Sequence, residues 1–183
     1  MTQHPQAGQA AGRALRAAGW GLAALLLYAA AVARPVTALV RAADAAGCID
    51  PHALDYGVLV LAGTLGGLGA GPLLEPGIAG AARALVPRGQ EAAARRLART
   101  AAVLAVLVAM AGQLWWISPV VNAFVDAHRV LLVETEVSLF AMGVLNGTAW
   151  VMLWRRAAWL GLVVTAGAGF MVMSSVLNAH GWC

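Results

Sequence analysis

The sequence predicts an all-α integral membrane bundle of five transmembrane helices, N-terminus inside and C-terminus outside. Composition is the first reason. Of 183 residues, 61% are apolar and 11% charged, with mean hydropathy +0.77, too little polar surface to clothe a soluble core of this size. The second is the recurrence of apolar runs of roughly 20 residues, the length that crosses a bilayer. The third is the placement of charge. All twelve basic residues are arginine, and they gather in alternate connecting segments. Arg13, Arg16, Arg83, Arg88, Arg95, Arg96, Arg99, Arg155 and Arg156 fall on one side; Arg34, Arg41 and Arg129 fall on the other. Positive charge marks the cytoplasmic side, which sets the direction.

The spans follow in order. A polar tail, residues 1–12, is expected to be a flexible cytoplasmic segment, and residues 13–183 a single membrane domain. Span one covers about Ala17 to Leu39, interrupted by Arg34 and Pro35. It exceeds a signal-peptide core and lacks a small-x-small cleavage site, so it is read as a retained span. Span two covers about Tyr56 to Leu74, with Pro72 and Pro76 expected to end or kink it. Spans three, four and five cover about Thr100 to Val120, Val130 to Trp154 and Ala157 to Leu177. Trp20, Trp154 and Trp159 would mark the inner interface, and Trp115, Trp116 and Trp182 the outer one.

The stretch GTLGGLGAGPLLEPG, residues 63–77, has the glycine density of a phosphate loop. A phosphate loop follows a strand and carries a lysine; here there is no lysine and the glycines lie within an apolar run. Gly63, Gly67 and Gly71 recur every four residues, on one helix face, where a second helix can approach closely. Helix packing is therefore the expected role. A net charge of +4 is explained by topology, and no nucleic-acid motif accompanies it.

With this direction, the polar residues collect on the outer side. Cys48, Asp50, His52 and Asp55 precede span two. Asp126 and His128 precede span four, whose first turns hold Glu134 and Glu136. His180 and Cys183 follow span five. For Cys48 and Cys183 the plain reading is a disulfide in an oxidising compartment. A Cu(I)-binding thiolate pair and two unpaired thiols are the alternatives. His52, His128 and His180 are either ordinary interfacial histidines or a converging metal set, since imidazole suits copper, zinc and iron. Glu134 and Glu136 sit at the outer interface, as snorkelling or Arg129-paired acids or as functional ones. Gln113 and Asn146 are expected to hydrogen-bond between helices. Met110, Met142, Met171 and Met173 are read as packing residues before thioether ligands. No nucleophile–base pair or zinc-protease motif is present, so no enzyme is expected.

At RRLARTAAVLAVLVAMAG, residues 95–112, and HRVLLVETEVSLFAMGVLNG, residues 128–147, the chain resembles the copper resistance protein D family of inner-membrane proteins. Gly143 and Asn146 match that family's Gly-x-x-Asn, and LGG at 65–67 resembles its Trp-Leu-Gly-Gly. The resemblance covers about residues 56–178. Its Tyr-Gly is missing, Glu134 stands near where a lysine is expected, and no tryptophan precedes the glycine pair. The resemblance implies copper handling at the periplasmic face of a bacterial inner membrane, with lipid and a periplasmic copper protein as partners. Two other readings stand beside it: a haem-bearing electron-transfer subunit, with His128 and His52 or His180 as axial ligands, and a non-catalytic accessory subunit of a larger membrane complex.

Overall fold

The computed structural model describes residues 4–33, 51–126, 128–154, 157–158, 160–161 and 163–164. The described residues are helical, without strands. Helix α1 spans His4–Ala33, α2 Pro51–Ala84, α3 Glu91–Ile117, α4 Pro119–Asp126 and α5 Arg129–Leu153. Four of them contain stretches long and apolar enough to cross a bilayer: Ala11–Ala33, Tyr56–Ala84, Glu91–Trp116 and Val130–Leu153. The first four predicted spans correspond to these. The fifth, about residues 157–177, falls largely outside the described residues.

Two boundaries differ from expectation. Helix α1 begins at His4, inside the segment expected to be a flexible tail; the run QAGQAAGRALRAA is dense in good helix formers. Helix α2 continues through both prolines to Ala84 rather than ending near Leu74. Pro72 and Pro76 each lack the N–H that would close a bond to the carbonyl four residues earlier, a loss that membrane helices accommodate. After Ala84 the chain turns through residues 85–90, where Gly89 takes φ +90°, a left-handed conformation natural to glycine. Glu91 opens α3, where a carboxylate favours the helix dipole, and lies 3.6 Å from Arg83. Ser118 ends α3 in an extended conformation (φ −62°, ψ 137°), as expected before Pro119.

The glycines set the architecture. A Cβ built on Gly63 would lie 3.0 Å from the Cα of Gly143, and one on Gly67 3.0 Å from the Cα of Gly147. Conversely, a Cβ on Gly143 would lie 2.9 Å from the Cα of Gly63. Backbone therefore meets backbone at two levels with one register, so α2 and α5 run parallel. Farther along, Gly71 faces the Val151 side chain. Helix α1 runs antiparallel to α2: Ala24 lies beside Gly66, and Ala17 and Trp20 beside Gly69. Helix α3 is antiparallel to α5, with Gly112 against Met142 and Trp116 packed on the cluster of Tyr56, Leu59, Val60 and Leu139. A second cluster joins Ala24, Leu65, Leu68 and Val151. Between them Tyr28 packs edge-on to Phe140, ring centroids 5.1 Å apart.

Candidate functional site

The helix directions divide the bundle into two ends. The starts of α2 and α5 and the finish of α3 share one end, which carries His52, Trp115, His128 and Glu134. The N-terminal half of α1, the finish of α2 and the start of α3 share the other, which carries Arg13, Arg16, Arg83, Arg88, Arg95, Arg96 and Arg99. The arginine bias seen along the sequence is thus a polarity of the folded bundle. Trp115 is 64% exposed at the histidine end, and Trp20 (38%) and Trp154 (55%) are exposed towards the arginine end. These are the positions of two interfacial belts.

At the histidine end, α5 starts from His128, which adopts an extended conformation (φ −134°, ψ 98°) and does not cap the helix through its side chain. Its ring turns back instead. Nδ1 lies 3.0 Å from the carbonyl oxygen of Phe124, and the ring sits 4.7 Å from the Phe124 ring, centroid to centroid. With Nδ1–H donating to that carbonyl, Nε2 keeps its lone pair, the tautomer a metal ligand requires. Such an N–H···O contact also orients the ring. The side chain is exposed.

The register locates His52 relative to it. Gly63 pairs with Gly143 and Gly67 with Gly147, so position 52 of α2 is level with position 132 of α5. His128 lies about four residues before that level, ~6 Å along the axis at ~1.5 Å per residue. The two histidine positions therefore stand at one end and at similar depth. The side chain of His52 lies outside the described residues, as do Cys48, His180 and Cys183. Among the described residues there is no group of three or more His, Cys, Asp or Glu side chains arranged to hold a metal ion. Glu134 is exposed and Glu136 half-buried on the first turns of α5, level with the start of α2.

Towards the middle of the bundle, the polar residues serve the helices. Thr64 donates to the carbonyl of Val60 (2.8 Å) and Thr135 to that of Leu131 (2.7 Å), each within its own helix. Thr148 reaches across from α5 to the carbonyl of Gly67, at 3.4 Å. Asn146 is 1% exposed, one residue before Gly147 in the seam. Gln113 is 9% exposed on α3, and among the described residues its Nε2 has no hydrogen-bond partner. Gly63, Gly67 and Gly71, expected from spacing alone to face a helix, all do so. What the spacing reading missed is their partner. Gly143 and Gly147 repeat the same four-residue step on α5, a signal present in the sequence that resemblance to a Gly-x-x-Asn motif obscured.

No protein-family model, curated protein or solved structure matches the chain.

Proposed function

We propose that this is a multi-pass protein of a bacterial inner membrane that takes up or passes on copper at its periplasmic face. In this reading a fifth span follows α5, the N-terminus is cytoplasmic and the arginine end of the bundle is the inner end. The observation that carries the proposal is the parallel register of α2 and α5, which puts the positions of His52 and His128 at one end and similar depth. The Phe124 carbonyl holds the His128 ring with Nε2 available, and neutral imidazole is a good copper ligand. His180, and Cys48 and Cys183 as thiolates or as a bridge, would complete or frame the site from the same side. The role is binding and transfer rather than catalysis, with a periplasmic copper protein as donor or acceptor.

The test is metal analysis and an absorption spectrum of the purified chain, with His52→Ala and His128→Ala beside the wild type. Stoichiometric copper that falls in both variants supports the proposal, since a metal held by few ligands weakens when either is removed. A Soret band lost in the same variants would replace copper with haem. Absence of copper and haem, in a chain that co-purifies with a larger membrane complex, would leave the accessory-subunit role. That second reading is favoured by a separate observation: α1 and α3 bury only 11% and 17% of their apolar windows, leaving long faces for lipid or neighbouring subunits. Active alkaline phosphatase at the C-terminus and inactive at the N-terminus would support the orientation.

A further inference from the structure

At the arginine end, away from the histidines, α1, α2 and α5 enclose an open cleft of about 300 Å³. Arg13, Arg16 and Trp20 reach it from one face of α1, at the i, i+3 and i+7 spacing that stacks side chains along a helix. Leu68 and Gly69 of α2 and Val151 of α5 line its apolar side. Helix α1 rests directly on α2 here. A Cβ on Gly69 would lie 2.9 Å from the Cβ of Trp20 and 3.0 Å from the carbonyl oxygen of Ala17. The glycine thus lets the helices close at Trp20, while the cleft opens towards the arginines.

Among the described residues neither Arg13 nor Arg16 lies within ion-pair distance of a carboxylate; the pair found at this end is Arg83 with Glu91. Paired positive charge therefore stands over an apolar wall, with an indole beside it. That combination is complementary to an amphiphile with an anionic head: guanidinium matches phosphate oxygens, tryptophan sits at headgroup level, and basic pockets between membrane helices hold acidic lipid heads. A free phosphate would satisfy the arginines and leave the partly exposed apolar lining, Trp20, Pro72 and Ala158, uncovered.

We infer that this cleft binds the headgroup of an anionic phospholipid, with its phosphate on Arg13 and Arg16 and an acyl chain against the partly exposed Trp20, Pro72 and Ala158. This does not depend on copper or on the direction of the chain in the membrane.

The test uses the full chain in a zwitterionic detergent, delipidated and titrated with phosphatidylglycerol, phosphatidylcholine or inorganic phosphate. Bound molecules are counted by native mass spectrometry. Phosphatidylglycerol should be retained in preference to phosphatidylcholine. Replacing both arginines, Arg13→Gln with Arg16→Gln, should weaken retention roughly thirtyfold, at about a factor of five per membrane-surface arginine. Arg95→Gln with Arg96→Gln removes equal charge from the same end but outside the cleft, and should change retention little. Ala17→Leu leaves every charge in place and narrows the cleft; it should also weaken retention. The inference is overturned if the Arg13/Arg16 variant retains lipid like wild type, or if the Arg95/Arg96 variant loses it equally. Unchanged retention in Ala17→Leu, or inorganic phosphate displacing the lipid at comparable concentration, would overturn it too.

Discussion

The seam between α2 and α5 and the flank formed by α3 are built from similar apolar residues, yet they hold the bundle in different ways. In the seam 56% of the α2 window is buried, and glycine Cα atoms of two helices stand against one another. On the flank 17% of the α3 window is buried, and Leu104, Leu107 and Val108 are more than half exposed. The reason lies in the solvent. Within a bilayer, moving a leucine from lipid to another helix gains little, because the tails are equally apolar. Close packing is what attracts, and glycine permits the closest approach. Hydrophobicity accordingly places α3 in the membrane without specifying which face meets a neighbour, whereas the glycine repeat specifies both the face and the register of α2.

Substitutions can probe this contrast. The largest effect is expected at the centre of the seam. A Cβ on Gly67 would lie 2.7 Å from the backbone nitrogen of Thr148, and backbone does not yield. Gly67→Ala should therefore destabilise by at least about 1–3 kcal/mol, the usual cost of overpacking, and Gly67→Leu should prevent assembly of α2 with α5. Thermal melting in detergent reads both; a Gly67→Leu protein with wild-type melting would show that the seam is absent in the membrane. Next is Gly71→Ala, whose Cβ would meet the Val151 side chain at 2.8 Å. Val151 is stiff at χ1, so a loss of about 1 kcal/mol is expected.

At Gly112 the sign should change. An added Cβ meets only the thioether end of Met142, a flexible group that can move aside. Alanine also gains helix propensity over glycine, about 0.5–1 kcal/mol. Gly112→Ala should thus leave melting unchanged or raise it slightly, and a loss as large as at Gly67 would erase the distinction between seam and flank. Leu107→Ala is the smallest. Leu107 is 57% exposed, and its truncation should alter stability by no more than about 0.5 kcal/mol.

How legible each part was follows from whether its cause is local. Apolar run length and arginine placement are local, and four helices long enough to span stand close to where the runs predicted them. The four-residue step of Gly63, Gly67 and Gly71 is local too, and the face it marks is packed. The partner of that face is not local: it depends on chain reversal through residues 85–90 and again near Ser118 and His128. The course of α2 past Pro72 and Pro76 to Ala84 departs from the expected end near Leu74, because a membrane helix accommodates the hydrogen bonds that proline removes. The candidate copper site is the least legible. Its ligand types can be read from the chain, but convergence of His52, His128 and His180 depends on connections between helices. Only the common end and depth of the first two positions follow from the register of α2 and α5.

That register has another consequence. Gly63 and Gly67 on α2 are matched by Gly143 and Gly147 on α5, eighty positions later, and each of these parallel helices has its antiparallel predecessor packed beside it: α1 on α2, α3 on α5. Among the described residues the bundle is two helical hairpins, α1 with α2 and α3 with α5, joined along the glycines. The turn at residues 85–90 then acts chiefly as a tether, raising the local concentration of one hairpin around the other. Cut there, the two fragments would keep the complementary surfaces needed to find each other in the bilayer. The covalent link supplies speed and stoichiometry, and the glycine faces supply recognition.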